Sequence, residues 1–406
     1  MKVNGRTALF FGIALSLCIC GCVKKDGEEK NKIVIFQSKV EITTQLEAAA
    51  KAYQAETGVE VEVWGTTGDD YFHQLRTRLA TDQGPTLFSM VPGAEAAEVG
   101  NYLENLGDLP FAGNIAKGLV EKQNGKIVGI PYTMEGFGIV YNKNLVDPAL
   151  VRDYNAFVGL LSQAKAAGIN GFGLSQESYF LIGHILNTPF AVMPDMQAYM
   201  EKLARGEVKM AETPEFQEFA RFYVAIRDFS YNPLEVNYDK ECGDFATGKT
   251  AAIHQGNWCY GMFADYKPDF EMGLMPFPLL GNDKLAVSVP AIWGINSQAP
   301  GGQKKLAKDF LTWLYTSPTG IRYLTEEFGF IPVVKDVIST TLDPLSAEVS
   351  RYAMEGKIIP WATNYYPAGI VDVHLVPVAQ RFFTSKMTEA EFLAALDTAW
   401  AKANGR

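Results

Sequence analysis

Hydrophobic positions recur at two different periods along this chain, and the order of those periods predicts a fold class. NKIVIFQS (31–38) is a short apolar run rich in β-branched residues, the pattern of a buried strand. EITTQLEAAAKAYQAETG (41–58) spaces its apolar residues three and four apart and stops at Gly58, as an amphipathic helix does. VEVEVW (59–64) alternates strictly and predicts a second strand. DDYFHQLRTRLATDQ (69–83) predicts a second helix with Asp69 or Asp70 as its cap, and TLFSMV (86–91) a third strand. Strand, helix, strand, helix, strand implies an α/β fold with a parallel sheet and right-handed crossovers.

The middle of the chain turns helical. VRDYNAFVGLLSQAKAAG (151–168), MQAYMEKLARGE (196–207) and TPEFQEFARFYVAIRDF (213–229) carry the helical period, while AAIHQ (251–255), FEMGLMPFP (270–278) and AVSVPAIWGINS (286–297) read as short strands. Helices return in QKKLAKDFLTWLYTSPTGIRYLTEEFG (303–329) and TEAEFLAALDTAWAKAN (388–404). No internal repeat stands out.

The first 22 residues follow a different logic. Lys2 and Arg6 precede an apolar run from Ala8 to Ile19, too short for the ~20 residues a membrane span needs. A basic start, a short apolar core and a small residue before the cut describe an export signal. Bacterial lipoproteins place an aliphatic residue three before the acylated cysteine and a small residue just before it. Ile19 and Gly21 stand so before Cys22, whereas the positions before Cys18 and Cys20 do not fit. The expectation is a signal peptide over 1–21, lipidation at Cys22, and a polar tether over 22–31. The mature chain then sits on the outer face of a cell membrane or in the periplasm, and two acyl chains give stable anchoring where one does not.

Composition narrows the partners. The 406 residues suffice for two domains, and 48% hydrophobic with 20% charged is ordinary for a globular protein. The formal charge of −10, made more negative by loss of Lys2 and Arg6, argues against nucleic acid and anionic lipid surfaces as partners. With Cys18 and Cys20 removed and Cys22 acylated, Cys242 and Cys259 are the unmodified cysteines of the processed chain. They read either as a disulfide or as two small buried hydrophobes.

Catalytic and cofactor motifs are absent: no HExxH, no phosphate loop, no Gly-x-Ser-x-Gly elbow. His73, His184, His254 and His374 are too far apart for short metal spacing, so neither cofactor nor metal is expected. A pair of catalytic carboxylates is set by space rather than spacing, so a glycoside hydrolase stays as an alternative.

Four segments, in order, resemble the family 1 extracellular solute-binding proteins of ABC importers, the group that includes maltose-binding protein. They are GIPYTMEGFGIVYNKNL (129–145), FATGKTAAIHQGNWCYG (245–261), the stretch from AVSVPAIWGINS through FGFIPVVKD (286–336), and PWATNYY (360–366). The resemblance runs from about Lys32 to the C-terminus. It implies a two-lobed fold of the periplasmic-binding-protein type, with discontinuous lobes over 32–136 plus 290–332 and over 137–289 plus 333–406. It also implies a monomer that closes by a hinge on a ligand held between lobes and hands it to a membrane permease with its ATPase. The chain itself would be a binding protein and not an enzyme.

A carbohydrate ligand requires flat aromatic faces for its C–H patches and side chains that hydrogen-bond in two directions. Trp258 and Asn257 follow a strand in a Gly-Asn-Trp turn; Trp361, Asn364 and Tyr365 cluster in a proline-bounded segment. Glu177 and Tyr179 resemble a family loop that carries a ligand carboxylate and a stacking tyrosine. Glu135 at the first crossover is expected either as a ligand contact or as a hinge salt-bridge residue, and Asp70 as a ligand contact, a cap or both. Trp293 stands at the second crossover. The alternative for Trp258 and Trp361 is a place in the core. Ser89 and Met90 stand where some relatives have a tryptophan, which leaves that wall less aromatic, and Lys39 either reaches a hydroxyl or stays solvated. A polyamine or other non-sugar solute remains an alternative ligand.

Overall fold

The computed structural model describes residues 31–65, 70–81, 83–116 and 118–405. The export signal, Cys22 and most of the tether lie outside the described residues, as does Asp69. Among the described residues eleven strands are formed: β1 Lys32–Gln37, β2 Glu60–Gly65, β3 Leu87–Met90, β4 Glu121–Gln123, β5 Lys126–Pro131, β6 Glu135–Asn142, β7 Ala252–Gly256, β8 Met272–Met275, β9 Leu285–Ser288, β10 Ile292–Ile295 and β11 Ile358–Ile359.

They make two sheets, one per lobe. The first is six-stranded, in the order β2-β1-β3-β10-β5-β4. β1 pairs in parallel with β2 and β3, as the alternation of strands and helices predicts, and its flanking helix Thr43–Thr57 ends on Gly58 at φ 75°. The far half of this sheet departs from the parallel expectation. β10 is antiparallel to both β3 and β5, and β4 and β5 form a hairpin. Its turn is Asn124-Gly125, both at positive φ, the backbone a tight two-residue hairpin turn requires.

The second sheet is five-stranded and mostly antiparallel. β6 lies at its centre, buried along its whole length, paired with β7 on one side and with β8 and β9 on the other. Only β11 joins in parallel, on β9. The long helices of the second lobe, Tyr154–Ala166, Pro214–Phe229 and Glu389–Ala403, pack their phenylalanines and leucines into one large core. Trp400 is buried there and Trp313 lies in the first lobe's core, as their helical positions suggest.

The run AVSVPAIWGINS, which reads as one strand, is two strands in different sheets. Pro290 falls between β9 and β10 and has no N–H for a ladder, so pairing ends where the chain changes lobe. Pro131 ends β5 in the same way before the passage to β6. These passages are laced together: Tyr132 N donates to Ala291 O at 3.0 Å. The Thr133 hydroxyl donates to Ile331 O at 3.1 Å and accepts from Ile331 N at 2.9 Å. Two expected boundaries shift with this geometry. Glu135 and Gly136 already belong to the second sheet, and Val333 and Val334 still pack in the first lobe's core. The last passage therefore comes after those valines and before the helix Pro344–Met354, which packs in the second lobe.

Cys242 and Cys259 are both buried free thiols. The disulfide reading is corrected to the hydrophobic one: both side chains pack in the second lobe's core beside Phe245 and Phe263.

Candidate functional site

A cavity of about 650 Å³ opens where the two lobes face each other. The first lobe brings the N-terminal end of the helix Tyr71–Leu79 and the helix Ala94–Glu98. The second lobe brings the segment 363–373 and Tyr179, and the crossover contributes Pro290 and Ala291. The two walls approach closely beside the cavity. Gly93 sits at φ 86°, and a Cβ there would stand 2.3 Å from Asn364 O, so only glycine fits on both counts.

Of the residues expected to touch ligand, Asp70, Tyr179 and Asn364 line this cavity. Asp70 is exposed and holds the N-cap position of its helix, but its carboxylate accepts no capping bond. Asn364 is 8% exposed; its Nδ2 donates to Ser288 Oγ at 3.4 Å, while Oδ1 is buried without a protein donor. A buried amide oxygen left so costs ~1–3 kcal/mol unless something else fills it.

Trp258 and Trp361 come together in an aromatic cluster of the second lobe and do not line the cavity, so both take the packed reading rather than the expected ligand contact. Their rings lie 6.2 Å apart at 82°, with Phe137 4.9 Å from Trp361 and His184 5.2 Å from Trp258. Burial, helped by His254, pushes His184 down to about 3, so its ring is neutral and behaves as one more aromatic face. Trp258 Nε1 donates to Gln255 Oε1 at 2.9 Å, and Gln255 Nε2 donates to Glu241 Oε2 at 2.6 Å. Burial raises the Glu241 carboxyl to about 8, so it holds its proton at neutral pH. Trp361 is buried, yet its Nε1 has no protein acceptor.

Glu135 takes the salt-bridge reading. Its Oε1 lies 2.6 Å from Lys39 Nζ, and both side chains are largely buried where the lobes meet. Burial raises the Glu135 carboxyl against the pull of Lys39. Burial opposes the Lys39 charge, and Glu135 outweighs it, holding the amine above its ordinary range. Lys39 is therefore paired rather than solvated.

Four further expectations are corrected. Trp293 is 1% exposed and stacks on Tyr132 with ring centres 3.9 Å apart inside the first lobe; a crossover position in sequence does not say which way the ring turns. Asn257 has both ends of its amide engaged: Oδ1 accepts from Gly136 N at 3.0 Å and Nδ2 donates to Ser346 Oγ at 3.0 Å, so it pins its turn to β6 and the helix Pro344–Met354. Glu177 does not line the cavity; its Oε1 accepts from Tyr238 N at 3.0 Å. Tyr365 is 48% exposed and off the wall, whereas its neighbour Tyr366 is buried and on it.

The sequence reading missed Glu95, Arg76 and the segment 367–373, all of which line the cavity. Glu95 Oε2 accepts from Val91 N at 3.0 Å, and Arg76 pairs with Glu98. The first two sit on short polar helical stretches that read as solvated faces. Met90 lines the cavity, and the buried Ser89 Oγ hydrogen-bonds the Tyr71 hydroxyl, so this wall is built without a tryptophan. Among the described residues no group of three or more His, Cys, Asp or Glu is placed to hold a metal ion.

This two-lobed α/β architecture with an interlobe cavity is that of a periplasmic-binding-protein fold. The chain belongs to the bacterial extracellular solute-binding proteins, whose family profile matches residues 48–356. It is thus an extracytoplasmic binding protein rather than an enzyme. A maltotriose-binding protein of Pyrococcus abyssi is 22% identical over 324 residues, 77% of this chain; the match spans 66% of that relative, just under two thirds of its length. Among solved structures, RafE in complex with raffinose superposes with a TM-score of 0.77 at 19% identity, covering 92% of this chain and 99% of that one. RafE is a protein of Streptococcus pneumoniae. A sugar transporter from Bacillus licheniformis in complex with stachyose gives 0.76 at 17% identity, covering 92% of this chain and 100% of that one.

Proposed function

We propose that this chain is the substrate-binding lipoprotein of an ABC importer, anchored through Cys22, that captures a mono- or oligosaccharide between its lobes and delivers it to the membrane permease. The observation that carries the reading is the chemistry of the cleft. Tyr71, Tyr179 and Tyr366 line a cavity of about 650 Å³ together with hydroxyl, amide and carboxylate side chains, a volume large enough for a small oligosaccharide. Asn364, on the cavity wall, carries an amide oxygen that no protein atom uses, an acceptor of the kind a sugar hydroxyl donates to. The names of the maltotriose-binding relative and of the raffinose and stachyose complexes support the same ligand class.

Closure follows from this arrangement by selection. Groups from both lobes reach one ligand only when the walls meet, so the ligand favours the closed state by its extra contacts there. The test is a thermal-shift screen against mono- and oligosaccharides, with polyamines and divalent metals alongside. A ligand at one hundred times its dissociation constant stabilises by ~2.7 kcal/mol. A shift with one sugar class supports the proposal; shifts only with polyamines or metals overturn it while leaving the fold.

A further inference from the structure

We propose that Lys39 and Glu135 form a closure contact between the lobes: each charge can be buried there only because the other neutralises it, so the lobes close fully when the pair is intact or wholly absent and not when one partner is missing. The inference goes beyond the carbohydrate reading of the cleft. It stands on contacts between protein atoms and does not depend on which solute is bound.

Each partner is mounted on a different sheet. Lys39 follows β1 of the first sheet, and its backbone N–H donates to Gln37 Oε1 at 2.6 Å, while Gln37 Nε2 donates to Thr43 Oγ1 at 3.2 Å. Gln37 is buried, so the turn that carries Lys39 is tied down. Glu135 opens β6 of the second sheet, opposite Ser288 of β9. The two side chains keep only 12% and 5% of their surface, with Nζ 2.6 Å from Oε1. The adjoining segment Val40–Ile42 packs against Asn257–Phe263, so the pair is part of a wider contact between the lobes. Neither Lys39 nor Glu135 lines the cavity, although Ser38 does.

Burial and attraction nearly cancel in this pair. Burial outweighs Lys39 at the Glu135 carboxyl, which is raised, whereas Glu135 outweighs burial at the Lys39 amine, which keeps its charge. Glu41 is a further carboxylate that acts on both, and it forms no ion pair with Lys39. A buried pair of this kind is worth little net against water, but a single charge left in the same place is costly. The lone charge recovers its hydration when the lobes part. Removing one partner therefore shifts the population towards the open form, and apparent ligand affinity falls with the fraction that can close.

The test compares the wild type with Lys39→Met, Glu135→Gln and the double variant, thermal midpoints showing that each is folded. Affinity is measured by calorimetry for the sugar with the largest thermal shift, and lobe opening by small-angle X-ray scattering of the ligand-free proteins. Glu135→Gln should bind about tenfold more weakly and scatter as a more extended particle. Lys39→Met should move the same way but less, because Glu135 can take up a proton. The double variant should recover to within about threefold of the wild type. Unchanged affinity in both single variants overturns the inference. A double variant as weak as the weaker single one also overturns it, since that pattern marks two ligand contacts. If no sugar binds, the carbohydrate reading fails separately and the scattering decides: a more extended Glu135→Gln, with the double variant restored, supports the closure contact, and four matching curves overturn it.

Discussion

Glu241 offers a test of the platform beneath Trp258 that needs no ligand. The carboxyl is 2% exposed, and burial moves it from an ordinary 4.5 to about 8. A folded-state pKa above the unfolded one means that the native protein keeps a proton the unfolded chain has released. The stabilising contribution is full below pH 4.5 and is lost as the pH rises through 8. Each unit of separation is worth about 1.4 kcal/mol, so at pH 7 the buried acid costs the fold on the order of 3 kcal/mol relative to acid pH. Glu241→Gln removes the titration and keeps an oxygen to accept from Gln255 Nε2, so Gln255 still holds the Trp258 indole. Urea unfolding at pH 5 and pH 8 reads the difference. The variant should match the wild type within about 1 kcal/mol at pH 5 and exceed it by on the order of 3 kcal/mol at pH 8. Taking variant minus wild type at each pH cancels the other titrating groups, Glu95 and Glu135 among them. The same offset at both values would mean that Glu241 does not change its protonation on folding, and the reasoning would fail.

Three further outcomes follow from the packing. Trp361→Phe removes a buried N–H that no protein atom accepts; stability should change by less than about 1 kcal/mol, relief of the donor offsetting lost contact, and sugar affinity should hold, because the ring lies off the cavity wall. Weakened affinity would put the indole within the ligand's reach. Asn257→Ala should cost about 2–3 kcal/mol in urea unfolding, because the Gly136 N–H and the Ser346 hydroxyl are both stranded; weakened sugar binding at full stability would make Asn257 a ligand contact instead. Cys242 and Cys259 should resist a thiol reagent in the native protein and both react once it is denatured without reductant, whereas no reaction after denaturation would reveal a disulfide.

The local pattern of this chain carried much of its architecture. β1, β2 and β3 and the helix ending at Gly58 follow from period and stop signals alone, because each element's burial is set by its own neighbours. The Asn124-Gly125 turn was equally visible as a dipeptide, and the reading passed over it. What was hidden is how strands are shared between sheets. AVSVPAIWGINS has the same apolar look on both sides of Pro290, and only pairing shows that β9 and β10 serve different lobes. For the same reason Trp293 looked like a cleft residue and is a core one, while Val333 and Val334 turned back into the first lobe.

The site was legible in part. Asn364 and Tyr179 line the cleft from short helical turns, and turn position can be read from glycine and proline, whereas Trp258 and Trp361 sit on the same kind of turn and pack in the second lobe instead. Glu95 could not be found that way. The segment AEAAE has the pattern of a solvated helix, and it becomes a cavity wall only because Asp372, far along the chain, faces it from the other lobe. Glu135 and Lys39 make the same point: each has an unremarkable sequence setting, and their 2.6 Å pairing exists only where the lobes meet.

The most direct test of the central claim is calorimetric titration of the wild type and Asn364→Ala with the sugar that gives the largest thermal shift. The account predicts saturable binding of one sugar per protein, weakened about tenfold or more when the unpartnered Oδ1 is removed, with the variant still folded. Sugar binding of undiminished affinity in the variant would place the ligand elsewhere. No sugar binding at all would contradict the proposed function itself.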